Sequence, residues 1–133
     1  MKTTTSAVRT IYKHMISKGA KVATGITGGI YWLRRPMSST KEDIVVGAVA
    51  MNGNEVQEGV FNVNIHVPNM VMTGDNTQPD FDRFDAIAAA LMPILANVWG
   101  YDWNFKVEEP GTQVPDGNNW FCNIRIRYWT IRN

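Results

Sequence analysis

Cysteine and histidine are scarce in this sequence, and their scarcity excludes several kinds of site. The single cysteine, Cys122, cannot form an internal disulfide, and no neighbouring base marks it as a nucleophile. The two histidines, His14 and His66, have no Cys, His, Asp or Glu neighbour at the spacing of a zinc site. We therefore expect no metal and no cofactor, and we interpret Cys122 as a small buried hydrophobic residue.

Long apolar runs are also missing. No segment approaches the roughly 20 apolar residues that are needed to cross a bilayer. The N-terminal segment MKTTTSAVRTIYKHM contains no apolar run of the signal-peptide type. These features predict an intracellular protein that makes no membrane contact.

Two segments imitate chemical motifs but fit structural roles better. Segment 24–29, TGITGG, lacks the Gly-Lys-Ser/Thr ending of a phosphate-binding loop and leads into a predicted strand, whereas phosphate loops lead into a helix. We interpret it as a turn. Asp80, Asp82 and Asp85 suggest a cation site, but helix capping and the helix dipole explain them more simply. No carboxylate pair at a catalytic spacing stands out, so an enzyme is not predicted.

What the sequence does contain is the composition of a globular domain. Its 133 residues are 44% hydrophobic and 19% charged, which predicts one domain over residues 1–133. Helical and alternating patterns follow each other in the order α-β-β-β-α-β-β. We therefore predict an α+β fold, with a mainly antiparallel sheet of four to five strands and two helices packed on it.

Two helices are predicted from apolar residues at helical spacing. The first covers 5–18, with Thr4, Thr5 or Ser6 as its cap and Gly19 at its end. The second begins at Asp80 or Asp82 and runs to about Trp99, with a kink at Pro93 and Gly100 at its end.

The strands are predicted from alternating apolar and polar residues and from turn signals. Pro36 ends the first strand, and Asn52-Gly53 is a strong hairpin signal between the next two. A Gly/Pro/Asn-rich hairpin loop over 110–119 precedes the last strand. The predicted strands cover 30–34, 44–51, 56–67, a segment beginning at Trp103, and 120–131.

Positive charge is concentrated in the first third of the chain. Residues 1–41 contain eight Lys and Arg and no acid, whereas residues 42–133 contain five Lys and Arg and twelve acids. The net charge is therefore only +1. The basic third contacts nucleic acid, or an acidic surface on a neighbouring copy, or is simply solvated. A nucleic-acid-binding domain is more often basic overall.

Two aromatic and basic clusters remain as candidate binding residues. One ends the first strand, and the other lies on the outward face of the last strand. Arginine and aromatic residues are enriched at protein interfaces, and they also contact phosphates and stack on bases. A protein interface, a nucleic-acid surface and a solvated face are the three alternatives. The residues are Trp32, Arg34, Arg35, Arg125, Arg127 and Trp129.

The layout of the whole chain resembles the tail-completion or tail-terminator proteins of long-tailed bacteriophages. The resemblance lies in the N-terminal helix over 7–18, and in Gly-Gly-Ile-Tyr at 28–31, which opens a strand ending at Pro36. It continues with the hairpin turn at Asn52-Gly53 and the helical segment FDRFDAI at 81–87. It ends with the terminal strand pair that closes on 120–131.

The resemblance implies a non-enzymatic virion protein of the tail or neck, assembled in the host cytoplasm. Such a protein forms a homo-oligomeric ring, typically of six, that caps the tail tube and joins it to the head connector. Its partners would be the tail tube protein and the head connector protein. Nucleic acid would be present only as DNA passing through the ring lumen.

The sequence leaves other functions open. One is a different neck component, such as a connector subunit, and another is a nucleic-acid-binding module that uses Arg125, Arg127 and Trp129. A basic surface on residues 1–41 that meets an acidic surface on the next copy favours a ring over a self-paired dimer. We also expect that changing Arg34 and Arg35 together weakens assembly without unfolding the protein.

Overall fold

The computed structural model describes residues 1–131 of the chain. Helices and strands follow one another from near the N-terminus to the end of this range. In chain order they are α1 (Thr4–Ser17), α2 (Ala20–Thr24), β1 (Ile30–Trp32), β2 (Asp43–Met51), β3 (Val56–His66), α3 (Phe81–Leu95), β4 (Asn97–Trp99), β5 (Trp103–Asp116) and β6 (Asn119–Ile131).

The strands form one mixed sheet in the order β1-β2-β3-β6-β5-β4. β1 pairs in parallel with β2, and every other neighbouring pair in the described sheet is antiparallel. The α+β class is therefore confirmed. The predicted element order lacked α2 and β4, and the predicted sheet of four to five strands was too small.

The core lies between the sheet and its helices. α1 packs on β1 and β2, while α3 packs on β5, β3 and β4. The alternation predicted for β3 and β6 is confirmed, because every second side chain of each strand is buried under the helices. The other side of the sheet carries no helix, and we call it the helix-free face. The main strand residues of the core are Phe61, Val63, Ile65, Cys122, Ile124, Ile126 and Tyr128.

The cap of α1 differs from the prediction. Thr3 is the N-cap, and its hydroxyl accepts a hydrogen bond from the Ser6 N–H at 3.0 Å. Ser6 is thus the donor to the cap, whereas Thr4, Thr5 and Ser6 were the predicted caps. Gly19 follows the last turn with a left-handed φ of 66°, a conformation that favours glycine. The predicted end of the helix is confirmed.

β1 is shorter than predicted. Its last ladder bond is donated by the Leu33 N–H to the Val46 carbonyl at 2.7 Å. Leu33 then adopts a φ of 72°, which turns the chain out of the sheet. The strand therefore ends before Pro36, the residue predicted to end it.

The second helix also ends earlier than predicted. Asp80 caps it, as one of the two predicted alternatives, by accepting from the Arg83 N–H at 3.2 Å. Pro93 lies in the last turn, where a proline removes a helical N–H and crowds the preceding turn. The helix ends at Leu95, and the chain enters β4 at Asn97. The prediction that the helix reaches Trp99 and ends at Gly100 is therefore wrong.

The predicted hairpin loop over 110–119 is wrong as well. β5 continues to Asp116 with irregularities near Glu109, and the turn to β6 is confined to Gly117 and Asn118. Pro110 and Pro115 are compatible with a strand because no described strand pairs with the outer side of this part of β5.

The Gly-rich segment before β1 is a turn, as predicted. It surrounds a carboxylate of the same chain, since the Gly29 N–H donates to Asp43 Oδ1 at 3.0 Å. Asp43 is buried, and its other oxygen accepts from the Ser39 hydroxyl and lies 3.3 Å from Arg35 Nε. This network fixes the loop between β1 and β2.

Candidate functional site

One end of the helix-free face opens into a cleft of about 890 Å³. Its floor consists of Val45 from β2 with Asn64 and His66 from β3. Its walls come from the loop 33–41, from the segment after β3 and from the turn between β5 and β6. Three cationic side chains and one acid line it, which are Arg34, Arg35, Lys41 and Asp116.

The two predicted arginines of this region have different environments. Arg34 is exposed and has no hydrogen bond or ion pair to other residues in the range 1–131. Arg35 is half-buried, pairs with Asp43 and donates to the Ser39 carbonyl. Only Arg34 is therefore available to a partner without breaking the loop that shapes the cleft.

His66 lies at the floor of the cleft next to the ring of Phe121. The pKa of His66 is lowered from 6.5 to about 4, mainly by burial and in smaller part by the positive charge of Arg35. Asp43 and Asp116 act in the opposite direction but are outweighed. His66 is neutral near pH 7 and offers a ring nitrogen rather than a charge.

Arg125 and Arg127 lie on the helix-free face, the outward face that was predicted for them. Arg127 is held between Glu108 at 2.7 Å and Glu58 at 3.1 Å, and Arg125 is 3.5 Å from Glu109. The glutamates come from β3 and β5, the neighbours of β6 in the sheet. The predicted basic surface is thus neutralised by strand pairing.

The two tryptophans of the predicted set have different environments. Trp32 packs under α1, where its ring lies 4.9 Å from the Arg9 guanidinium and 6.3 Å from the Tyr12 ring. Trp129 is on the helix-free face, with Lys106 Nζ 5.6 Å from its ring centre. The structure therefore does not bring the six predicted residues into one site.

A second surface lies at the opposite end of the sheet. Trp99 is 74% exposed and Tyr101 is fully exposed, although both are large aromatic residues. They border a shallow apolar hollow of about 170 Å³ beside Trp129. We call this surface the aromatic end, and it consists of Val56, Trp99, Tyr101, Trp129 and Ile131.

Sequence reasoning found only Trp129 of this surface. Trp99 was assigned to the end of a long helix, and Tyr101 to the connection that follows it. Val56 and Ile131 are opposite each other at the ends of β3 and β6. They are exposed because they lie at the end of the sheet. The pattern of each strand alone does not show which residues lie at that end. The signal that was present is the density of aromatics in the segment WGYDW at 99–103.

Within residues 1–131 no group of three or more His, Cys, Asp and Glu side chains is arranged to hold a metal ion. Cys122 is buried, as predicted, and burial raises the pKa of its thiol. The helices of the described range are too short or too polar to cross a membrane.

Comparisons with known proteins give a fold and no family. No family model and no curated protein matches this sequence. A solved structure whose name states no function is similar over 95% of this chain and 94% of its own, with a TM-score of 0.56 and 14% identity. This likeness shows the fold alone.

Proposed function

We propose that this protein is a non-enzymatic assembly protein of the phage tail-terminator type, which forms a ring on the tail tube. The observation that carries the proposal is the aromatic end. Exposed aromatic residues that cluster around an apolar hollow are typical of the centres of protein interfaces, because they bury large areas with little loss of side-chain freedom. The resemblance in layout supplies the virion context.

The distribution of charge supports contacts between unlike surfaces. Exposed Arg9 and Lys13 lie on α1, which packs on β1 and β2. Exposed Asp82 and Asp85 lie on α3, which packs on β3, β4 and β5. Opposite charges towards the two edges of the sheet favour head-to-tail contacts over self-paired contacts. The segregation is partial, since Lys2 is paired with Asp102 and Arg35 with Asp43.

The cleft is the surface that we assign to a second protein. It is concave, its charge is mainly positive, and Arg34 at its rim is unpaired among the described residues. An acidic segment of the tube or connector protein suits it. The related alternative, another neck component, would use the same surfaces, and only the capping of tail tubes distinguishes the two functions.

The test is assembly of the purified chain and of a variant with Trp99→Ala and Tyr101→Ala. Because these side chains form the centre of the surface, their loss should weaken self-association by about tenfold or more. Light scattering over a concentration series measures this effect. Val22→Ala is the control, since Val22 is also an exposed apolar residue but lies on α2, away from the aromatic end.

The control should assemble like the wild type. Wild-type rings added to growing tail tubes should then fix the tube length in electron micrographs. Normal assembly of the double variant would remove the aromatic end from the interface, and tubes that grow past bound rings would exclude the terminator role.

A further inference from the structure

Besides the outer side of β1, two stretches at the edges of the sheet have no strand beside them within residues 1–131. The pairing of β1 with β2 stops at Trp32 and Val46, so the outer side of residues 47–51 is open. At the other edge, β4 pairs with β5 on one side only. Both stretches are short, and each exposes apolar side chains, namely Val49 at 60% and Trp99 at 74%.

Neither stretch has the protection that sheet edges normally carry. Proteins block open edges with charges or proline, because an unprotected edge pairs with another strand. Residues 47–51 read GAVAM and β4 reads NVW, without a charge or a proline. The rest of the β5 edge is protected by Glu108, Glu109, Pro110 and Pro115. The edge strand β1 also reads without a charge or a proline, but α1 packs on it and Arg34 and Arg35 follow it directly.

The directions of the strands decide how copies can join. β2, β6 and β4 run one way, while β3 and β5 run the other, as their antiparallel pairings require. The open stretch of β2 and the strand β4 both lead to the end of the sheet that carries the aromatic end. Copies related by a rotation about an axis inclined to the strands would therefore bring these two edges together side by side and in parallel. The register below needs an offset of about two residues along the strands, because the pairings put Val98 level with Met51 rather than with Ala48.

The backbone geometry gives a register for this contact. The Ile44 N–H and the Val46 carbonyl both bond towards β1, so Ala48 presents its N–H and carbonyl to the same open side. On β4, Ala96 and Gly100 bond towards β5, so Asn97 and Trp99 present their backbone groups outwards. In a parallel pair, Ala48 opposite Val98 donates to the Asn97 carbonyl and accepts from the Trp99 N–H.

The side chains agree with this register. Ala48 is paired with Phe61 of the core and Val98 with Phe105 of the core, so both lie on the helix side of the sheet. Next to this pair, Val49 of one copy would contact Trp99 of the next, and both side chains are exposed in the single chain. The irregularity between Ala48 and Ala50 limits the pairing to about one bonded residue and its neighbours, which matches the short length of β4.

We propose that residues 47–49 of one copy pair in parallel with Asn97–Trp99 of the next, so that the ring is a sheet continued from copy to copy. The occupant of each edge is a second copy of this chain because the two open edges complement each other in direction, length and lack of charge. A strand of another protein on one edge would leave the other edge uncovered. The inference rests on the proposed self-assembly and adds its interface.

The first test places a charge on the edge. Val49→Lys should raise the dissociation constant of assembly by about tenfold or more, because a lysine at the joint must be desolvated. Val22→Lys is the matched control, since Val22 is 88% exposed on α2 and lies away from both edges. It should assemble like the wild type. Equal assembly of both variants would overturn the inference.

The second test is a covalent bond across the joint. Ala48→Cys combined with Val98→Cys should give, on mild oxidation, a ladder of covalent oligomers in denaturing gels, since facing residues of paired strands are within disulfide reach. Each single variant should give at most dimers, and buried Cys122 should not react. Rings without a ladder would overturn the edge pairing and leave the proposed function standing. A wild type that never associates would overturn both.

Discussion

Asp43 is the residue around which the cleft is organised. It is 1% exposed, yet it carries a carboxylate, which needs several partners when it leaves water. The Gly29 N–H, the Ser39 hydroxyl and the Arg35 guanidinium supply them. Arg35 is therefore a structural residue, and the expectation that Arg34 and Arg35 can be changed together without affecting folding should be tested on Arg34 alone.

A substitution at Gly28 gives a clear prediction for the stability of the fold. A β-carbon at Gly28 would overlap the Asp43 carboxylate and the Glu42 backbone carbonyl, neither of which can move easily. Gly28→Ala should lower the free energy of unfolding by about 2 kcal/mol or more, as other core overlaps do. Urea denaturation at a concentration where the chain is monomeric measures the change.

The control is Gly47→Ala, because a β-carbon there meets no atom within 4 Å. It should leave the free energy of unfolding nearly unchanged or raise it slightly. If both variants lose the same stability, crowding at Gly28 is not the cause.

The lowered pKa of His66 predicts that the stability of the fold depends on pH. Its folded pKa, about 4, is below its ordinary value of 6.5, so the unfolded chain binds the proton more readily. Stability is therefore complete above pH 6.5 and falls as the pH drops from 6.5 towards 4. His66→Gln should reduce this slope by less than about 1.4 kcal/mol per pH unit, since His66 is only partly buried.

Urea denaturation between about pH 5 and pH 7 compares the two chains. The His66 ring signals in a nuclear magnetic resonance titration supply an independent check. A ring that titrates near its ordinary value would contradict the account of its burial.

One ion pair connects α3 to the start of β2. Arg83 donates from Nε and Nη2 to the two Glu42 oxygens, at 2.6 and 2.9 Å, and also to the Thr24 carbonyl. These bonds hold α2, α3 and β2 together at one point. The bonds from Arg83 lower the pKa of Glu42, so their contribution is present above pH 4.5 and is lost below it.

A double-mutant cycle with Arg83→Met and Glu42→Gln should give a coupling energy of about 1 kcal/mol near pH 7. This exceeds the contribution of a fully exposed pair because both side chains are partly buried. The coupling should fall when the cycle is repeated below pH 4.5. Additive single effects would show that the pair contributes no stability.

Strong periodicity made some elements predictable. β3 and β6 alternate over long segments, and α1 carries a clear apolar stripe. β4 was missed because Val98 continues the helical spacing of Leu91 and Leu95, and only Pro93 hints that the helix stops. The predicted β5 was too short because Pro110 and Pro115 usually indicate a loop. They fit a strand only where one side of that strand has no partner, and this depends on the order of the strands in the sheet.

The candidate site was less predictable than the fold. The face of Arg125 and Arg127 followed from alternation. Their neutralisation did not, because Glu58 and Glu108 reach Arg127 from strands that are distant in sequence. Trp99 and Tyr101 were missed for a similar reason, since exposure at the end of a sheet is a property of the assembled sheet.

In the folded molecule, α1 and α3 preserve the charge asymmetry of the sequence. Both helices lie on the same side of the sheet, but α1 brings exposed cations towards the β1–β2 edge and α3 brings exposed acids towards the β5–β4 edge. The unprotected stretches lie at the same two edges. Charge and backbone thus favour the same head-to-tail association, in which each copy uses two different surfaces.

The most direct measurement is native mass spectrometry of the wild-type chain, with negative-stain images of the same sample. Head-to-tail association predicts one closed assembly whose mass is a whole multiple of 15.0 kDa, seen as a ring with a central hole. A chain that stays monomeric at high concentration and low salt would contradict it. So would a dimer that does not grow, because identical surfaces would then be paired and the two open edges would remain unused.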